Sequence, residues 1–186
     1  MTEGRLEREL IEQARRGDRT AYEAIVRRKV ETVYRTARAI LGNDADADDA
    51  TQEALIGAWR KLPSLRDVDR FDAWLGRITV NACRMALRRR RSNSVVPLPS
   101  GMSGAADPVD PRASTFEARS VTADAFDRAF DRLPIDQRAI LVLHHREELP
   151  IAEIAARLGI PEGTVKTRLH AARTALDRSL SREGLR

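Results

Sequence analysis

Arg77, Asn81, Arg84, Arg88 and Arg91 recur at spacings of four, three, four and three residues. On a helix of 3.6 residues per turn they fall within about 80° of one another, in a single stripe. Four cations along one edge repel each other unless an anionic partner neutralises them. A nucleic-acid backbone does so, with an affinity that falls steeply as salt rises. A solvated basic face is the competing account, and it suits Arg89 and Arg90 in the terminal RRRR run better than a stripe held in register.

A second surface lies in PEGTVKTRLHAARTAL, residues 161–176. Val165, Leu169, Ala172 and Leu176 form its apolar stripe, and Gly163, Thr167, His170, Ala171 and Thr174 face the other way. Lys166 and Arg173 flank one side of that face; Thr164 and Arg168 flank the other. Small residues at the centre admit a close approach, hydroxyls can meet base edges or phosphates, and flanking cations suit the two phosphate walls of a major groove. The free N–H groups at the helix start add an anion-binding end. An ordinary solvated helix is the alternative.

A third surface has the opposite sign. Residues 39–59 contain Asp44, Asp46, Asp48, Asp49 and Glu53 with no Lys or Arg. Aspartates near a helix start complement its dipole, which is one explanation; a docking face for a basic protein surface is the other. Enzyme chemistry finds little support. His144, His145 and His170 lack metal-ligand spacing, Cys83 is the one cysteine, and no phosphate-cradling glycine loop, nucleophile elbow or dinucleotide fingerprint is present. No cofactor is called for.

Helices must position these surfaces, because strand signals are nearly absent. Helical periodicity predicts elements at Arg5–Arg16, at Thr20–Leu41 ended by Gly42-Asn43, and from a cap at Asp46 to about Leu62, stopped by Pro63. A fourth runs over about Arg70–Arg91, with Phe71, Trp74, Ile78, Ala82 and Met85 as its predicted core face. Residues 92–122 hold four of the eight prolines with Gly, Ser and Ala, and read as a flexible linker. Helices resume over Ala123–Asp131, then from Pro134 at a first-turn position through Gln137–His145. Ile151–Leu158, a turn at Gly159 and the helix opened by Pro161 make a helix-turn-helix. The fold class is therefore all-α, in two small helical domains, 1–91 and 123–186, joined by the linker.

A composition of 42% hydrophobic and 33% charged residues suits a globular protein with a core. The net charge of +5 favours an anionic partner. No apolar run reaches the roughly 18–20 residues that span a bilayer, and MTEGRLERELIEQARRGD lacks a signal-type apolar segment, so a cytoplasmic protein without membrane insertion is expected.

The motifs taken together resemble the extracytoplasmic-function sigma factors, the compact promoter-specificity subunits of bacterial RNA polymerase. ADDATQEALIGAWRKL is similar to the family's acidic segment ending in Trp, FDAWLGRITVNACRMALRRRR to its Trp-Leu-x-x-Ile-x-x-Asn helix, and LPIDQRAILVL with IAEIAARLGIPEGTVKTRLHAAR to its C-terminal helix-turn-helix. The resemblance covers about residues 5–91 and 123–180. It implies that Asp49, Gln52, Glu53 and Trp59 dock on the polymerase β′ clamp helices, with the β flap as a further core contact. It implies that Arg77, Asn81, Arg84 and Arg88 meet the promoter −10 element, beside a base-capturing loop, Ser64–Asp69, that includes Leu65, Arg66 and Asp67. Gly163, Thr164, Lys166, Thr167, Arg168, His170 and Ala171 would read the −35 element.

The partners implied are core polymerase, promoter DNA and an anti-sigma protein, with one copy of the chain in the holoenzyme. The linker would thread near the polymerase active site and RNA exit path. This sequence departs from the family in three places. Met85 stands where Asp is common and is expected in the core, Glu162 replaces a common Ser or Thr, and the loop 64–69 has no aromatic to stack on a base. The alternative function is an autonomous helix-turn-helix regulator, which would usually need a dimer or an effector domain.

Overall fold

The computed structural model describes residues 3–93 and 116–184. Among them there is no strand; the elements are α1 (Glu3–Arg15), α2 (Arg19–Leu41), α3 (Asp44–Lys61), α4 (Phe71–Asn93), α5 (Phe116–Asp131), α6 (Ile135–Leu141), α7 (Ile151–Leu158) and α8 (Glu162–Arg182). Two 3-10 turns, Leu62–Ser64 and Val68–Arg70, lead from α3 into α4. A π-type turn, Val142–Arg146, follows α6.

Local chemistry sets the boundaries. The Asp18 side chain accepts from the Ala21 N–H at the start of α2. Gly42, at φ 83°, ends that helix with its N–H on the Arg38 carbonyl. Asn43, expected only to help end α2, is also the cap of α3: its Oδ1 accepts from the Asp46 N–H at 2.8 Å, and its Nδ2 donates to Asp46 Oδ2 at 2.8 Å. Asp46 is thus the capped partner, and the cap of α3 lies three residues earlier than the sequence suggests. Pro134 and Pro161 sit just outside α6 and α8, each lending a carbonyl to the first turn. α4 runs on to Asn93 and α5 reaches back to Phe116, so residues 92–93 and 116–122 are helical where a linker was expected. The rest of the linker, 94–115, lies outside the described residues.

In the N-terminal unit α3 and α4 run antiparallel. Gly57 faces Ile78, while Glu53 pairs with Arg89 and Asp46 with Arg90. Tyr22 on α2 packs on Trp59 at 4.9 Å between ring centroids and donates its hydroxyl to the Leu55 carbonyl. Lys29 ties three helices together through Glu7 at 2.6 Å and Asp72 at 2.7 Å. Burial would lower the Lys29 pKa, but the hydrogen bonds to Asp72 and Glu7 outweigh it and leave the ammonium stabilised.

The face of α4 turned to the core differs from the sequence reading. Leu75, Val80, Ala82, Cys83, Ala86 and Leu87 are buried, Trp74 and Ile78 are half-buried, and Met85 is 49% exposed rather than packed inside. α4 is flanked by α2 and α3 and also by α6 and α7, so its buried arc is wide and is rotated away from Met85.

In the C-terminal unit α6 lies under α8, and Arg128 and Arg132 of α5 and the segment after it clasp Glu183. Arg138, 4% exposed, is buried at the junction with α2. Its guanidinium donates to the carbonyls of Asp131, Leu133 and Ile40 and to Asp131 Oδ1, and it lies over the Phe130 ring. This arginine serves the interior. The apolar cores of the two units are continuous across their contact, which the sequence does not predict.

Candidate nucleic-acid interface

The arginine stripe forms as the spacing predicts. Arg77, Asn81 and Arg88 are exposed along α4, and Arg84 is half-buried between them. Arg84 Nη1 donates to Asn81 Oδ1 at 2.6 Å, so the asparagine helps to orient the guanidinium. Its Nε donates to Asp136 Oδ1 of α6 at 2.7 Å. The side chain of Arg91 lies outside the described residues. Arg89 and Arg90 hold acids of α3, with Arg89 gripping Glu53 through bonds of 2.7 and 3.1 Å.

The loop before α4 is anchored from within. Leu65 is 6% exposed and its carbonyl accepts from Arg15 Nη1, so it anchors the loop from within while still contributing to the lining of the cleft. Ser64, Arg66 and Asp67 are exposed. The Ser64 hydroxyl donates to the Lys61 carbonyl, and Asp67 accepts from the Asp69 N–H.

Together with Arg70, Trp74, Arg77 and Ala156, these loop residues line a cleft of about 380 Å³. Trp74 gives the cleft the aromatic wall that the loop itself lacks. The sequence assigned it to the core because it continues the apolar spacing from Phe71, on which it packs at 5.7 Å. The available signal was its place one turn into a helix that directly follows a polar loop.

α3 presents Asp49, Gln52 and Glu53 outward, with Ile56 exposed beside them. Trp59 is half-buried against Tyr22 and supports this helix from behind. The two explanations of the acidic run divide by position. Asp44 is held by Arg38 Nε at 2.6 Å and the Tyr34 hydroxyl at 2.9 Å, which keep its carboxyl below the usual carboxylate range, and Asp46 belongs to the cap. Those two serve the helix start, while Asp49 and Glu53 stand on the open side.

On α8, Val165, Leu169 and Ala172 are buried, and Gly163, Lys166, Thr167, Arg168, His170 and Ala171 are exposed, with Thr164 half-buried. Added atoms at Gly163 would meet open space, so no interior contact requires its small size. The Thr167 and Thr174 hydroxyls donate to the Gly163 and His170 carbonyls, leaving their oxygens to act as acceptors. Arg173 Nε donates to His145 Nε2 at 3.2 Å. Burial, then the neighbouring Arg173 guanidinium and the His144 ring, lower the His145 pKa. The turn before α8 depends on Gly159, at φ 67°, whose N–H meets the Ala155 carbonyl. Among the described residues no group of His, Cys, Asp and Glu could hold a metal ion. No helix of the described residues is long and apolar enough to cross a membrane.

The family model "Sigma-70 region 2" matches residues 25–93, which hold α3, the loop before α4 and the arginine stripe. "Sigma-70, region 4" matches residues 123–176, which hold α6, α7 and most of α8. The chain is 40% identical over 164 residues to the ECF RNA polymerase sigma factor SigM of Mycobacterium tuberculosis, across 88% of this chain and 79% of that protein. It is 31% identical over 178 residues to the ECF RNA polymerase sigma factor SigW of Bacillus subtilis, across 91% of this chain and 94% of that one. Among solved structures, CnrH in complex with the cytosolic domain of CnrY matches with a TM-score of 0.64 at 28% identity, over 95% of this chain and 97% of that chain. A helix-turn-helix regulator acting without polymerase would leave the region 2 match unexplained. With two matched regions in the order of the predicted units, and relatives aligned over most of both chains, the chain belongs to the extracytoplasmic-function sigma factors of the sigma-70 family.

Proposed function

We propose that residues 1–91 dock on core RNA polymerase and engage the −10 element, while residues 123–186 read the −35 element. The chain is a sigma factor: with core RNA polymerase it recognises promoter DNA and directs transcription initiation. It supplies no covalent step; the polymerase is the enzyme, and the sigma factor selects where synthesis starts. It works in the cytoplasm, where polymerase and promoter are. An anti-sigma protein is a further partner, in keeping with the solved relative RpoE of Bartonella quintana, seen with the anti-sigma factor NepR.

The observation that carries the site assignment is the division of charge between adjacent antiparallel helices, with outward acids on α3 and outward cations on α4. A basic protein surface and a phosphate backbone can approach the same unit from neighbouring sides without competing. Asp49, Gln52 and Glu53 form the polymerase side, with Trp59 as their support. Arg77, Asn81, Arg84 and Arg88 form the DNA side. Ser64, Arg66, Asp67 and Trp74 shape the cleft that takes a base from the melting strand, an exchange that costs a few kcal/mol per unstacked base. On α8, Gly163, Thr167 and Ala171 let the helix close on base edges, and Thr164, Lys166, Arg168 and His170 meet the phosphates and groove walls.

The test is run-off transcription with purified core polymerase on genomic fragments. Core plus this chain is expected to start at discrete sites that core alone does not use. Absence of any sigma-dependent start overturns the reading.

A further inference from the structure

α8 carries a cation whose partner is not an acid. Elsewhere this fold steadies its surface arginines with carboxylates: Arg84 with Asp136, Arg89 with Glu53, Arg128 with Glu183. Arg173 is different. Among the described residues it pairs with no carboxylate, and its Nε donates to His145 Nε2 at 3.2 Å. Arginine is never deprotonated in proteins, so the imidazole is the acceptor in this bond and holds its own proton on Nδ1. His145 projects from Val142–Arg146, the π-type turn that ends α6. Such wide turns recur at functional sites. The His144 ring stands edge-on to it, with 4.7 Å between centroids at 75°, and braces its plane.

This arrangement orients Arg173 without cancelling its charge. A carboxylate at position 145 would hold the guanidinium more firmly, but the pair would present no net charge to a phosphate. An imidazole acceptor takes one of the five guanidinium N–H groups and leaves four, with the whole positive charge. The Nη1–Nη2 edge stays open, and that edge matches two oxygens of a phosphate. Arg173 lies two turns beyond Lys166 on the same flank of α8, about 10 Å along the axis. Lys166, Arg173 and His145 are all exposed. Ordering a long side chain is part of what association costs, and a guanidinium already held in place loses less.

Resting on the assignment of α8 to the −35 element, we propose that His145 is a positioning residue for promoter recognition: it holds the Arg173 guanidinium so that its open edge grips one backbone phosphate on the Lys166 side of α8. A phosphate contact of this kind fixes the register of α8 in the groove and does not itself read a base. Folding does not account for the pair. Both partners are exposed, so loss of either leaves no buried polar atom unpaired.

The test uses holoenzyme, reconstituted from core polymerase and the full-length chain, on a promoter fragment selected by run-off transcription. The same fragment with its −35 region replaced is the second template, and binding is measured by competition over a range of salt. His145→Ala is expected to weaken binding to the intact fragment about three- to tenfold, with helicity and melting temperature unchanged. His145→Gln keeps an acceptor at the reach of Nε2 and should bind within about twofold of the native chain. His145→Glu still holds the guanidinium but removes its net charge, so it should bind more weakly than His145→Ala, with a salt slope shallower by about 1. Arg173→Ala should weaken binding as well, and His145→Ala added to it should change nothing further. The proposal falls if His145→Ala binds like the native chain, if His145→Gln fails to rescue, or if His145→Ala still weakens a holoenzyme that carries Arg173→Ala. The second template reports on the underlying assignment. If native holoenzyme binds both fragments equally, α8 does not read the −35 element and the proposal fails with that assignment. If it discriminates while the His145 variants all behave alike, only the positioning role is lost.

Discussion

Trp74 shows how one side chain can belong both to a core and to a site. Its ring rests on Phe71 and its outer part lines the cleft beside Ser64, Arg66 and Arg77. Stacking of a base on an aromatic ring is worth about 1–3 kcal/mol by alanine substitution. Trp74→Ala is therefore expected to reduce melting of the −10 region about tenfold or more, read as permanganate reactivity of exposed thymines in the holoenzyme complex. Trp74→Phe keeps a ring and should keep most of the signal. Equal melting in all three proteins would remove Trp74 from the site. Met85 and Leu65 teach the complementary lesson. Apolar spacing marks the side of a helix or loop that avoids water; it does not say how wide the covering neighbours are. With α4 flanked by helices of both units, Met85 falls beyond the buried arc, and Leu65 is drawn in by α1.

Among elements, α3 carries the sharpest expectation. Its buried side is built from Ala47, Ala50, Thr51, Ala54 and Ala58, small residues that bring α2 and α4 close, while Asp49 and Glu53 stand on its exposed side, Glu53 in a surface pair with Arg89. Asp49→Lys with Glu53→Lys is expected to abolish association with core polymerase in a pull-down, with helicity unchanged. Loss of the exposed Glu53–Arg89 pair should cost no more than about 1 kcal/mol of stability. Retained binding would withdraw the docking face. This helix, α7 and α8 were largely legible in the sequence, because caps, prolines and 3.6-residue periodicity act locally. The double use of Asn43 was not, since it joins the end of α2, where its Nδ2 reaches the Leu41 carbonyl, to the start of α3, and the π-type turn at Val142–Arg146 has no signal in the helical periodicity.

For the whole molecule, the all-α class and the two units follow from composition and periodicity, and the contact between the units does not. Arg84 and Asp136 meet across 52 positions of sequence, and nothing in either segment alone names the other. The interior also sets a limit on alkaline stability. Burial pushes the Tyr22 phenol and the Cys83 thiol each up to about 12, from ordinary values of 10.0 and 9.0. Both are neutral in the folded chain when the unfolded chain has begun to ionise, so their contribution is whole below pH 9.0 and is lost as pH rises through about 12. Melting temperature is expected to fall steadily over that window, and Tyr22→Phe to flatten the upper part of the fall. A flat native profile would contradict the burial of both groups.

Cys83 has a consequence of another kind. Peroxide and nitrosating agents attack thiolates that solvent can reach, whereas this sulfur is sealed inside α4 and keeps its proton at any physiological pH. It is also the only sulfhydryl in the polypeptide. A thiol-directed signal thus finds no handle at Cys83 in the folded protein, and among the described residues the exposed thioether of Met85 is the sulfur that an oxidant in solvent can reach.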